Sequence, residues 1–504
     1  VRLPFPTRVS LAHIALYAAA MFLVQQVQHT SLAFSVLYFG FVLLAAVTFN
    51  VAGGFARPAG AYVFWFALLT VMLGVTWKAV LREPADSNID APVLTMAAYA
   101  GGMVSMLIAM LISRALLAGR RSLSEVLHAN RIDLGDAAIG CLAAGVAITA
   151  LNLLGLGGGS GTPLAALNQV NFFLPIAILL GTVHVIRSSG GRKVIDLPTG
   201  LAILLNFFFG LIAFSKQGIF TPLLSWLVAA CACRLKLRLS WALPAALILF
   251  FTVLWGVPIA QVGREYAENA TGTAQRIRIV ANLLFNIGTV RSDYEADVPE
   301  PDASLNTRGF YFDSNQGLLD RLTMMPVDSA LIGYSSRGHY DGLGPIRFAF
   351  ENWLPHFIAP HKEQDAVGGG NAYAHEVGNF LAPDDFATGV SFSPVAEAFH
   401  LEGWWGIFLL APALWVMLFT VLDFLTGDPR RAPWGLFLTV AYAHVAPESL
   451  LIGMIQFVWS GSIGILVVMV FCVRVAPVLG AVLTGRARDL GPGPAALPLA
   501  PRLR

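Results

Sequence analysis

Apolar residues occur in long uninterrupted blocks along this chain, not at the spacing of a surface helix or the alternation of a half-buried strand. Apolar runs cover 11–27, 32–53, 62–80, 91–117, 137–154, 164–186, 200–214, 219–233, 241–259, 404–425, 434–448 and 452–475. Runs of this kind suit the roughly 30 Å of hydrocarbon in a bilayer, where a helix satisfies its own backbone within a single segment. The pattern predicts an all-α polytopic membrane protein with about 12 transmembrane helices, nine before position 260 and three after 400. Lys216 interrupts the apolar sequence between two of them, as either a tight hairpin or a kink in one long helix. The chain then divides into N-terminal spans (1–260), a large polar loop (261–400) expected to carry the active site, closing spans (401–484) and a tail (485–504). The tail, rich in Pro, Gly and Ala, is expected to be disordered.

Composition supports the membrane class: 56% of residues are hydrophobic and 12% charged, against about 25% charged in soluble chains. Orientation follows from the short loops, because cytoplasmic loops retain Lys and Arg. With twelve spans, Arg57, Arg114, Arg120, Arg121, Arg187, Arg192, Lys193, Arg234, Lys236, Arg430 and Arg431 fall on one side, while Lys78 and Arg82 opposite are offset by Glu83, Asp86 and Asp90. Both termini are thus expected in the cytoplasm, with the large loop outside and the first run retained as a span. A net charge of +2 gives no reason to expect a nucleic-acid partner. The four cysteines lie in or beside apolar runs and show no metal or disulfide spacing.

Within the loop, ATGTAQRIRIVANLLFNIGTV reads as an amphipathic helix on the outer membrane surface, with Arg276 and Arg278 at its polar edge. An acidic connector is expected over 292–306, and a second helix over 315–325. Candidate anion-binding groups are Lys216, Arg264, Arg276, Arg278 and Arg308. Arginine carries a planar fork that grips phosphate bidentately, whereas a juxtamembrane cation also reads as a snorkelled side chain touching ordinary lipid. His375 and Glu376, beside Asn371 and Asn379, form the densest polar group late in the loop and are candidates for proton transfer. His356, His361 and His375 lack the spacing of a ligand set, so no metal and no cofactor is expected. Nucleotide-binding and nucleophile-elbow motifs are absent from the sequence.

At SFSPVAEAFHLEGWWGIFLL the chain resembles the closing signature of the bacterial O-antigen polymerase superfamily (Wzy-type polymerases), with Ser393, Pro394, Glu397, Gly403 and Gly406 in the matching places. FSKQGIF resembles the Ser-Arg/Lys element of the same superfamily, and the order of spans, long outer loop and closing spans is similar as well. The resemblance implies a GT-C-like architecture and a glycosyltransferase that polymerises polyprenyl-diphosphate-linked oligosaccharide repeats into a surface polysaccharide or exopolysaccharide. Partners would be those lipid-linked glycans, membrane lipids and a chain-length regulator. His375 or Glu376 would take the acceptor proton, with Glu397 orienting the loop or serving as the alternative base. The basic residues would stabilise the leaving diphosphate without a metal. Two alternatives remain open: an O-antigen ligase acting on lipid A-core, and a transporter with an extracytoplasmic domain.

Overall fold

The computed structural model describes residues 2–153, 171–237, 239–267, 270, 272–296, 310–314, 316–351, 369–378 and 389–486. Arg308, Asn168, His356, His361, Asn379, the connector beyond Ala296 and the tail beyond Arg486 lie outside them.

Among the described residues the protein is helical throughout, without named strands. Seven helices among the described residues are long and apolar enough to cross a membrane: Leu32–Ala56, Pro58–Leu81, Pro92–Leu116, Leu134–Asn152, Leu243–Ala267, Pro394–Thr426 and Leu451–Leu483. Leu11–Val27, Phe173–Ser188 and Leu197–Ile212 are apolar but shorter. Their ends follow local chemistry. Asp196 Oδ1 accepts from Thr199 N–H at 3.0 Å ahead of Pro198, satisfying a first-turn donor where proline's missing N–H does no harm. Gly53, at φ +91°, closes the Leu32–Ala52 helix in the left-handed conformation.

The Lys216 interruption is a tight hairpin. Leu197–Ile212 and Lys216–Ala232 pack against each other, Phe214 takes φ +49° in the turn, and Ser215 Oγ caps the second helix from Gly218 N–H at 3.1 Å. The two backbones touch at glycines, since a Cβ on Gly210 would lie 2.5 Å from the Gly218 carbonyl carbon.

Buried polar contacts tie the bundle to its loops. Lys78, fully buried, donates to Pro84 O at 3.2 Å and Ser87 O at 2.9 Å, sits 3.8 Å from Glu83 Oε2 and lies 4.5 Å from the Tyr311 ring centroid. At another span end, Asp423 accepts from Ala59 N–H at 3.1 Å and pairs with Arg57 at 3.5 Å. A buried charge is tolerable only with such partners.

Three loop expectations need correction. The amphipathic stretch forms two helices, Thr273–Phe285 and Ile287–Ala296, so residues 292–296 of the expected connector are helical. The helix expected over 315–325 is instead a short 3-10 turn at Leu319–Arg321, and the α-helix runs Met325–Ser336. Pro326 explains the shift, because proline fits the first turn of a helix and would break one begun earlier. The closing span expected from 404 starts with Pro394, capped by Ser393 Oγ, which accepts from Ala396 N–H at 3.2 Å.

Candidate functional site

The Pro394–Trp405 helix breaks at Glu402 and Gly403, where Gly403 adopts φ +57° and ψ −133°, a backbone region essentially reserved for glycine. The break releases the His400 and Leu401 carbonyls from intrahelical bonding. Asp341 N–H and Gly342 N–H occupy them, at 3.2 and 3.0 Å. The chain then continues as Gly406–Leu410, packed so closely on the preceding segment that a Cβ on Gly406 would lie 1.7 Å from the Ala398 carbonyl oxygen. The two glycines of the sequence signature therefore have distinct jobs: one turns the helix, the other lets it fold against itself.

Glu397 and His400, three residues apart, share one face of this helix. His400 is 1% exposed. Its Nδ1 lies 2.9 Å from Ser335 Oγ on the Met325–Ser336 helix. Its Nε2 lies 3.4 Å from Glu376 Oε2 and 3.5 Å from Asp341 Oδ2. Glu376 comes from the Gly370–Val377 helix, anchored where Asn371 Oδ1 accepts from Val390 N–H at 2.9 Å. Tyr373 and the His400 ring pack in a T-shaped pair with centroids 4.8 Å apart. The Tyr373 hydroxyl donates to Glu397 Oε1 at 3.1 Å, while Glu397 Oε2 accepts from Leu451 N–H. Glu397, fully buried and bonded through both oxygens, thus positions Tyr373 and the start of the last span.

Asp341 and Glu376 stay in reach of solvent, with side chains 28% and 38% exposed, while His400 forms the closed floor. Burial pushes the Asp341 carboxyl above its ordinary value; the His400 ring opposes that shift and the Glu376 carboxylate adds to it. The Tyr373 phenol is raised as well, by burial first and then by Glu397 and Asp341. A pair of accessible carboxylates over a buried imidazole can take up a proton or hold a cation.

The other sequence candidates are distributed unevenly. Glu376 is in the group, whereas His375, about 100° round the helix from it, stands outside. Lys216 Nζ donates to Gln261 Oε1 at 2.5 Å, and Arg264 Nε donates to the Phe214 carbonyl at 3.1 Å. The hairpin turn thus brings these two cations to one helix, Val257–Ala267. Phe214, whose carbonyl Arg264 bonds, belongs to a hydrophobic cluster with Leu211, Ile259 and Val262, separate from the main core that contains Tyr373 and Phe399. Arg276 and Arg278 are exposed on the Thr273–Phe285 helix, and Arg308 lies outside the described residues.

Sequence reasoning missed Asp341, His400, Ser335 and Tyr373. The spacing of Glu397 and His400, two polar residues on one face of an otherwise apolar helix, is the signal that was available for His400. Compared with family models, curated proteins and solved structures, the chain finds no match.

Proposed function

We propose that this chain is a GT-C-like glycosyltransferase of the bacterial inner membrane, with twelve spans, cytoplasmic termini and a periplasmic loop, that polymerises polyprenyl-diphosphate-linked oligosaccharide repeats. The observation that carries the reading is the convergence of Asp341, Glu376, His400, Tyr373 and Glu397 where the loop meets the closing span, in the segment with the polymerase-like signature. In the reaction an acceptor sugar hydroxyl forms a bond to the donor's anomeric carbon as the bond to the diphosphate breaks. The polyprenyl diphosphate departs with the electron pair. The hydroxyl proton passes to Glu376, whose carboxylate is exposed, or to His375. Arg264, Arg276, Arg278, Arg308 and Lys216 hold the diphosphate and stabilise the charge it gains.

The arginines supply the test. If Arg264 and Arg278 grip the leaving diphosphate, charge and bidentate geometry both count, and lysine does not substitute. Purified protein given lipid-linked repeats should make a ladder of products. Arg264→Lys and Arg278→Lys should insert normally yet lose rate by about 100-fold or more. Wild-type ladders from both variants would overturn the diphosphate site. In a deletion strain, loss of polymer supports the reading, and long polymer stranded on its carrier lipid indicates a ligase instead.

A further inference from the structure

We propose that Asp341, Glu376 and His400 form a binding site for a divalent transition-metal cation of the zinc type. Hydrogen bonding fixes the imidazole tautomer first. Ser335 Oγ donates to the Leu331 carbonyl at 2.7 Å, so its hydrogen is committed within its own helix. Toward His400 Nδ1, 2.9 Å away, the serine oxygen accepts, which places the imidazole hydrogen on Nδ1. Nε2 of the neutral ring is then a lone pair. It is buried, it has no hydrogen-bond partner among the described residues, and it points at two carboxylate oxygens 3.4 and 3.5 Å away.

Three electron pairs converging in this way repel one another unless a positive charge, a proton or a metal ion, lies between them. All three donor atoms fall within 4.8 Å of one another. With metal–ligand bonds of about 2.1 Å, neighbouring donors on a tetrahedron are about 3.4 Å apart, which is the separation of Nε2 from each carboxylate. One imidazole with two carboxylates suits a borderline cation such as Zn²⁺ or Co²⁺ better than Mg²⁺ or Ca²⁺, which prefer all-oxygen shells. The bond from Nδ1–H to Ser335 is the outer contact that orients a metal-bound histidine. Asp341 is held in register by its own N–H on the His400 carbonyl. Three protein donors leave a fourth position on the solvent side, open to water or to a substrate oxygen.

This site departs from the metal-free expectation drawn from sequence, which weighed His356, His361 and His375 and not His400. It meets the glycosyl-transfer reading at one residue, since a metal-bound Glu376 leaves the acceptor proton to His375, but binding is measured without substrate and is tested apart from that reading. The full chain, purified in detergent and stripped with EDTA, is titrated with Co²⁺ while the visible d–d absorption is recorded, followed by competition with Zn²⁺. One equivalent per chain with the intense bands of a four-coordinate site is expected. Asp341→Asn and Glu376→Gln, both at accessible side chains, should each weaken binding by about 100-fold or more, and Ser335→Ala by about 10-fold, through loss of the outer contact. Glu351→Gln, at an exposed acid elsewhere in the loop region, should leave the titration unchanged. His400→Ala should abolish binding; since loss of a buried ring can unfold the chain, the two carboxylate variants carry the decision. A titration without saturation, or one that Asp341→Asn and Glu376→Gln leave unaltered, overturns the proposal.

Discussion

Glu397 is the residue whose removal should most clearly separate a positioning role from a dispensable one. Its two oxygens accept from donors on different elements, the Tyr373 hydroxyl at 3.1 Å and the Leu451 N–H. The second of these is a first-turn amide of the Leu451–Gln456 helix, where a carboxylate is additionally favoured by the helix dipole. Glu397→Ala would orphan both donors in a fully buried place. Each orphan costs about 1–3 kcal/mol, and the cavity adds to that, while the released desolvation of the carboxyl group subtracts; a net loss of about 2–5 kcal/mol results. Tyr373→Phe removes one donor and leaves Glu397 bonded to Leu451, for a loss of about 1–2 kcal/mol. Glu397→Gln keeps an acceptor for Leu451 N–H and offers an amide hydrogen to the Tyr373 hydroxyl, which accepts it, so it should cost least. Equilibrium unfolding in mixed micelles, followed by tryptophan fluorescence, should therefore rank Ala as worst, then Phe, then Gln. Alanine and wild type unfolding together, or glutamine doing worse than alanine, would refute the clamp.

Two further predictions concern the helix break and a buried acid. Gly406→Ala places a methyl group 1.7 Å from the Ala398 carbonyl oxygen, so the backbone must move, at a cost at or above the upper end of the usual 1–3 kcal/mol for overpacking. Gly403→Ala strains only the backbone, because its Cβ would meet the Tyr340 ring at an ordinary 3.4 Å; about 1–3 kcal/mol is expected, and less than for Gly406→Ala in the same unfolding assay. Asp328, fully buried, accepts from the Tyr99 hydroxyl at 2.5 Å and from Ser393 N–H at 2.9 Å, and burial pushes its carboxyl up from 3.8 to about 6. The native state then holds this proton more tightly than the unfolded chain does. The contribution is complete below pH 4 and is lost as pH rises through 6, by about 3 kcal/mol at most. Asp328→Asn keeps an acceptor for Ser393 and should flatten that part of the stability–pH curve; an unchanged slope between pH 4 and 6 would refute the assignment.

The apolar blocks made the helices legible. The run 11–27 is the helix Leu11–Val27, and the run 32–53 misses the end of Leu32–Ala52 by one residue. Burial by lipid or by neighbouring helices demands apolar side chains all round, and such a block reads directly from sequence. Helix starts inside the loop were less legible, because proline and capping residues decide them against weak apolar periodicity. Pro326 moved one helix downstream, and Ser393 with Pro394 moved another ten residues upstream of its apolar run. The site divided along the same line. Glu376 was visible as part of a polar group, and Glu397 through the signature. Asp341 sits in a Gly-rich turn and is brought to His400 by backbone bonds across 59 positions of sequence, a pairing that no local pattern encodes.

The break at Gly403 is what converts that distant pairing into a site. A continuous helix would bond the His400 and Leu401 carbonyls within itself and offer nothing to the Asp341–Gly342 turn. Once the helix stops, two carbonyls need donors, and the turn supplies them; the Asp341 side chain then stands 3.5 Å from His400 Nε2 as a consequence of backbone satisfaction. Glu376 arrives separately, through the docking of its own helix by Asn371 on Val390. The buried floor of the site is thus set by the spanning helix and its accessible acids by two loop segments. His400 is fixed against Ser335 and the two acids are held by backbone bonds and by helix docking, so each group is kept in register by its own element.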